Sequence, residues 1–324
     1  GHVNATAGHP ASFTVVAKDA WSNQLEACND EVTISIFEKQ KESVSVLVAP
    51  VGVGCYSATF TPNVSGTLHV EVAILHVGVV EPTVKLDAEA AVISGKLAPI
   101  PFYKASNLMV VPGPLHVPSC RVAGLNALVH RGTRVSEEFS VSLHAVDMVG
   151  NETASGGFDF CVAASGPADV TGRMIDMGNG SYKGSIVFAV SGDYTVSITH
   201  GGMHINASPF KVNILPGLTD AGQCRVAGLS TVHSGRKSFF TVTAHDSLGN
   251  IASPSQPELF VALVPVDSHL GSVPTHIVKY EEGIYVCAFD PAAAGEFNVQ
   301  VNSNGHQVSL PHIFKVSPAL ISCP

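Results

Sequence analysis

The chain has 324 residues, 45% of them hydrophobic and only 13% charged, with a formal charge of −9 and a pI near 5.9. Soluble domains usually carry roughly 25% charged residues, and here no basic cluster exceeds two, which argues against nucleic acid or an anionic membrane surface as partner. The most apolar run, Leu68 to Val80, is broken by His69, Glu71 and His76 and is too short to span a bilayer, so no direct membrane contact is expected.

Cys120-Arg121-Val122-Ala123-Gly124-Leu125 recurs letter for letter at Cys224-Arg225-Val226-Ala227-Gly228-Leu229, and Ile321-Ser322-Cys323-Pro324 starts a third trace. Identity at domain-sized spacing marks a repeat architecture. It divides the chain into units 1–117, 118–218 and 219–319, with 320–324 opening a further one. In chain order, each unit begins with a strand of period-2 alternation: Phe13-Val15-Ala17, then Val141-Leu143-Ala145, then Phe240-Val242-Ala244. A turn of the form Asp-x-x-(Gly/Ser)-Asn closes each strand, at Asp19 to Asn23, Asp147 to Asn151 and Asp246 to Asn250. Asp accepts from turn amides, and Gly or Asn tolerates the left-handed conformation that ends the turn. The apolar residue inside the turn (Trp21, Val149, Leu248) reads as a plug over the end of the core.

Later in each unit a tyrosine precedes a glycine by ten residues: Tyr56 and Gly66, Tyr182 and Gly192, Tyr285 and Gly295. A strand follows at once, as Leu68-Val70-Val72, Tyr194-Val196-Ile198 and Phe297-Val299-Val301. Short Pro/Gly linkers at Val111-Pro112-Gly113-Pro114 and Leu215-Pro216-Gly217-Leu218 limit bending between units. No window of helix length carries a 3.6-residue period. Short strands with turn signals every 8–12 residues predict an all-β chain of tandem immunoglobulin-like sandwiches.

Asp-x-x-Gly-Asn, Asn-Gly-Ser-Tyr, Ser-Gly-Asp-Tyr-Thr-Val and Ala-Ser-Pro-Phe-Lys-Val, in that order, resemble filamin-type immunoglobulin repeats. The second unit matches almost throughout. The third has Leu-Pro-His-Ile-Phe in place of Ser-Pro-Phe. The first departs most: Gly66 lies 36 residues before Phe102, against 18 from Gly192 to Phe210 and 19 from Gly295 to Phe314. The extra residues fall near 75–101, in the F–G connection of the immunoglobulin lettering. The resemblance implies rods, peptide-binding modules or parts of adhesion proteins, including plant and algal gamete-attachment ectodomains; a fold alone does not choose among them.

Catalysis finds little support, and no cofactor or metal is implied. No Gly-x-Ser-x-Gly elbow precedes a helix. Gly52-Val53-Gly54 lacks the third glycine of a nucleotide loop and leads into a strand. The 15 histidines are scattered; His200 and His204 flank a loop, and solvated loop histidines are the plainer reading. No Asp-x-Asp-x-Asp calcium run occurs.

The resemblance places the start of a unit, the B–C loop and the D–E turn at one end of the sandwich. It therefore allows Cys28 to meet Cys55, Cys120 to meet Cys161, and Cys224 to meet Cys287. The alternative is that these are small buried hydrophobes, Cys287 in particular lying between Tyr285 and Phe289 on an inward face. Sequons at Asn4, Asn63, Asn151 and Asn179 point to glycosylation and an extracellular address, whereas a fifth, Asn206, is followed by Ala-Ser-Pro, which disfavours it.

Two partner-binding surfaces are expected. One is the edge of the third strand, C, at Val32 to Ile36, Phe158 to Val162 and Leu259 to Leu263. There the resemblance implies pairing with an extended peptide between strands C and D, with Phe158, Asp159 and Cys161 at the second-unit site. A protected edge is the alternative. The other surface is the F–G insertion, with Val79, Val80, Glu81, Val84 and Ile93, either a recognition loop or added structure. The expected function is non-enzymatic adhesion or recognition at the cell surface through another cell-surface protein. An intracellular scaffold or cytoskeletal rod is the alternative.

Overall fold

The computed structural model describes residues 4–18, 24, 31–37, 43–75, 106–229, 232–252 and 259–319. They form three β-sandwiches in succession, each around its own core. In the first, a sheet of five strands runs Asn4–Thr6, Ser106–Val111, Gly66–Leu75, Glu31–Phe37, Ser43–Val44, and a sheet of three runs Ala11–Val16, Cys55–Phe60, Val46–Gly52.

In the second unit the sheet path is Arg121–Val122, Glu138–His144, Ser181–Val187, Val170–Asp176, Phe160–Ser165, Gly192–His200, Met203–His204, with Phe210–Ile214 also on Gly192–His200. The third repeats this order from Arg225–Ala227 through Ser238–Thr243, Ile284–Phe289, Val273–Glu281, Phe260–Pro265, Gly295–Ser303 and His306–Ser317 to Val232–His233.

The alternation expected from sequence sets which side chains face inward. Phe139, Val141 and Leu143 are buried against Phe160, Val162, Tyr182, Tyr194, Val196 and Ile198. The third unit repeats this with Phe240, Val242, Tyr285, Cys287, Phe297 and Val299. Each such side chain contributes about 1.5–3 kcal/mol by leaving water. Edge-to-face ring pairs add to this, Phe160 on Tyr182 at 4.8 Å and Phe240 on Phe289 at 5.5 Å.

The repeated hexapeptide does open each of the last two sandwiches. A single 3-10 turn, Val117–Ser119 or Ala221–Gln223, delivers Cys120 or Cys224 into the core, and the next residues start the first strand. Val117, at the boundary expected for the first unit, packs in the second core. One short helix, Leu125–Val129, was not expected; it follows Gly124 at φ 63°, and Leu128 and Val129 lie against the second core.

Candidate interaction surfaces

The Asp-x-x-x-Asn turns carry most of the polar geometry. Asp147 is 1% exposed, and its Oδ1 accepts from the N–H of Val149 at 3.0 Å and of Asn151 at 2.9 Å. Its Oδ2 accepts from Asn151 Nδ2 at 2.9 Å and from the N–H of linker residue Gly113 at 2.8 Å. Asn151 then reaches into the first unit: Nδ2 donates to the Asn63 carbonyl at 2.9 Å, and Oδ1 accepts from the Ser65 N–H at 2.9 Å.

The next joint is the same. Asp246 accepts from Leu248 and Asn250 N–H, both at 2.9 Å, and from Gly217 N–H at 2.8 Å. Asn250 Nδ2 donates to the Ala189 carbonyl at 3.0 Å and its Oδ1 accepts from Ser191 N–H at 3.0 Å. Burial opposes the charge on Asp147 and Asp246. The bonds from the asparagine side chain, the linker glycine and the turn amides outweigh it, and both carboxyls sit below the ordinary 3.8.

The turn motif thus does what was expected within its own unit and, in addition, clasps the unit before it. The apolar residue inside the turn is not a plug over its own core. Val149 is 39% and Leu248 49% exposed, and Val149 faces the first unit, with its Cγ1 3.4 Å from where a Cβ on Gly8 would sit. Trp21 lies outside the described residues. Nothing in the turn alone announces the clasp. Its legible trace is that both described copies end in Asn, the one side chain that offers this donor and acceptor together on a short stem.

The C-strand edge differs between units. In the second, Cys161 to Ala164 are paired on both sides, Cys161 standing opposite Thr199 on one strand and Arg173 on the other. The expected free edge, Phe158 to Val162, is therefore closed at Cys161 and Val162 by the unit's own strand Val170–Asp176, while Phe158, Asp159 and Phe160 have no ladder partner on that side among the described residues. Gly172 permits this: a Cβ there would lie 2.8 Å from the Ser185 carbonyl and 3.3 Å from Val162 Cγ1.

Cys161 and Asp159 face outward as expected. Phe158 is half-buried; its N–H donates to Tyr182 Oη at 3.1 Å and its ring meets Phe160 and His200 edge-on. His200 Nδ1 lies 2.8 Å from the Asp159 carbonyl. In the third unit Val273 and Pro274 cover Leu263 and Ala262. In the first, Ser43 and Val44 cover only Phe37 and Ile36, so the backbone from Val32 to Ser35 is unpaired on that side among the described residues.

Val79, Val80, Glu81, Val84 and Ile93 lie outside the described residues. The strands flanking that insertion, Gly66–Leu75 and Ser106–Val111, pair from Gly66 opposite Val110 to Val70 opposite Ser106.

The cysteine pairings do not form in this structure. Cys55, Cys120, Cys161, Cys224 and Cys287 are all free thiols, and Cys28 lies outside the described residues. Cys161 points outward from its sheet whereas Cys120 is buried in the core. Cys224 and Cys287 are each packed as small apolar side chains, and burial raises both thiols, Cys287 to about 12.

Of the sequons, Asn4 is in a strand, Asn63 and Asn179 are exposed, and Asn151 lies in the joint. Among the described residues no group of three or more side chains could hold a metal ion, and no helix is long and apolar enough to cross a membrane.

With this geometry in hand, the chain can be set beside known proteins. The filamin/ABP280 repeat matches residues 1–79, 114–211 and 218–310. The chain belongs to the filamin repeat family. Filamin-C of Rattus norvegicus is 27% identical over 162 residues, 49% of this chain and 6% of its own length, and the Mus musculus protein is 27% identical over 163 residues with the same coverage. The chain thus spans a small fraction of the curated relatives it matches. Among solved structures, the Escherichia coli adhesin FdeC superposes with a TM-score of 0.56 at 18% identity, covering 97% of this chain and 94% of that one. That likeness is one of fold. The filamin-type repeats run through the whole array, each with the strand order described above.

Proposed function

We propose that this chain is a non-catalytic array of filamin-type repeats that presents sandwich surfaces to another protein in adhesion between cells, attachment of gametes being one such setting. The observation that carries the reading is the joint repeated at Asp147/Asn151 and Asp246/Asn250. It holds successive sandwiches in one pose, as an extended recognition array requires. The exposed sequon at Asn179 supports a cell-surface address, since its Oδ1 accepts from the N–H and Oγ of Ser181 and no bond occupies its Nδ2 among the described residues. Peptide mapping of the protein from its native source, before and after glycosidase, tests that address. Glycan on Asn179 or Asn63 is the expected result, and bare asparagines at both would remove it.

A second reading, an intracellular scaffold binding extended peptides, is favoured by the free thiols and by the open backbone from Val32 to Ser35 in the first unit. A strand added there would pair with unpaired N–H and C=O groups. A proline in place of Thr33 would abolish peptide binding on this reading and leave adhesion through other surfaces untouched.

A further inference from the structure

We propose that the loop from Pro291 to Gly295, at the end of the third unit, is a docking site for the Asp-x-x-x-Asn turn of a further filamin-type repeat. The loop that receives an asparagine is anchored in the same way in every unit. Gly8 N–H donates to the Pro62 carbonyl at 2.8 Å, Ser136 N–H to Phe188 at 2.9 Å, and Gly235 N–H to Pro291 at 2.8 Å. All three acceptors stand four residues before the glycine that opens the next strand, Gly66, Gly192 or Gly295.

From that anchored pose, the residue three before the glycine offers its carbonyl and the residue one before offers its N–H. In the first unit these are Asn63 and Ser65, both held by Asn151; in the second they are Ala189 and Ser191, both held by Asn250. In the third they are Ala292 and Ala294. Ala292 is exposed, Ala294 is half-buried, and neither backbone group has a partner among the described residues. The loop is therefore preset for a ligand that the chain supplies twice elsewhere.

The chemistry of that ligand is narrow. A carbonyl and an N–H side by side match one carboxamide, which donates and accepts from a single planar group. A carboxylate offers no donor, and acidic residues surround the loop: Asp290 adjoins it, and Asp267 and Glu296 line the cleft of about 400 Å³ that opens beside Ala294. An anionic ligand is disfavoured there, whereas a neutral Asn presented by a tight turn fits. Pro318-Ala319 stands where Pro112-Gly113 and Pro216-Gly217 stand at the two formed joints, so Ala319 N–H is placed in sequence to meet the docking turn's Asp.

The test is amide hydrogen exchange at Ala294, which reports whether its N–H is bonded. The 324-residue protein is compared with a version in which a second copy of residues 218–318 follows Ala319, so that the copy's Asn250 can reach the loop. Protection at Ala294 in the longer protein should rise at least tenfold, and Asn250→Ala in the appended copy should return it to the rate of the 324-residue chain. Core amides of the appended copy, such as Val242 and Val299, report that it has folded. A second version with Ala319→Gly reproduces the formed linkers. Unchanged exchange at Ala294 in both versions would overturn the proposal. So would protection that survives Asn250→Ala, because the carboxamide would then not be what the loop recognises.

Discussion

Asn151 has two amide hydrogens and uses both, one on Asp147 of its own turn and one on the Asn63 carbonyl of the preceding unit. Replacing it with alanine removes two bonds across the joint. At about 0.5–1.5 kcal/mol each, Asn151→Ala should weaken the joint by about 1–3 kcal/mol while each core keeps its own stability. Faster amide exchange at Ser65, with Val141 and Leu143 unchanged, is the signature to look for. The same geometry bears on the sequon at this position. A glycan on Nδ2 would take the place of a hydrogen that now makes a bond, so Asn151 is expected bare where Asn179 is occupied.

The cysteines divide as sharply. Cys161 is exposed, while Cys287 is fully buried with its thiol pushed up to about 12 by burial. In the native protein iodoacetamide should alkylate Cys161 and spare Cys120, Cys224 and Cys287 until the chain is unfolded. Mass spectrometry of the labelled peptides reads this directly, and a protected Cys161 would contradict the outward placement.

At the scale of elements, strand Val170–Asp176 limits where a further strand can be added to the second unit. It pairs with Phe160–Ser165 through Val170 to Arg173 and with Ser181–Val187 through Met174 to Asp176, and so joins the two sheets at the edge where an extended peptide was expected to add. Gly172 sits at the crossing point, and a larger side chain there meets the Ser185 carbonyl. Gly172→Val should therefore part the strand from its neighbour at a cost of about 1–3 kcal/mol, exposing the Val162 backbone. Denaturant titration gives the cost, and exchange at Val162 shows whether the edge has opened.

This closure also marks where sequence reading stops. Inward-facing rows such as Val141-Leu143-Ala145 and Tyr194-Val196-Ile198 were legible because a period of two is a property of consecutive residues. The hexapeptide was legible because it repeats. Which strand lies beside Cys161 depends on pairing between residues far apart in the chain, and Gly172 reads as an ordinary strand-breaker until its contact with Ser185 is seen. The joint was half legible for the same reason. The turn about Asp147 is local, but its reach to Asn63 and Ser65 spans more than eighty residues.

At the scale of the whole molecule, the two joints share one dependence on acid. Asp147 and Asp246 each hold a linker amide, two turn amides and the clasping asparagine, and these bonds keep both carboxyls below the ordinary 3.8 against the opposing effect of burial. A carboxyl depressed in the folded state contributes stability that is fully present above its unfolded value and is lost as pH falls through the folded one. The joints should therefore be indifferent to pH from neutrality down to about pH 4 and loosen only below it. Small-angle scattering between pH 7 and pH 2 should give a constant radius of gyration to about pH 4 and an increase beneath it. Circular dichroism should show the sandwiches still folded at the onset of that increase. The double variant Asp147→Asn, Asp246→Asn replaces one accepting oxygen in each joint with a donor and cannot receive the linker N–H and the turn N–H groups together. It should be loosened at every pH and show no acid transition. An increase that begins near pH 6, or one that survives in the double variant, would mean that these two carboxylates are not what holds successive repeats in register.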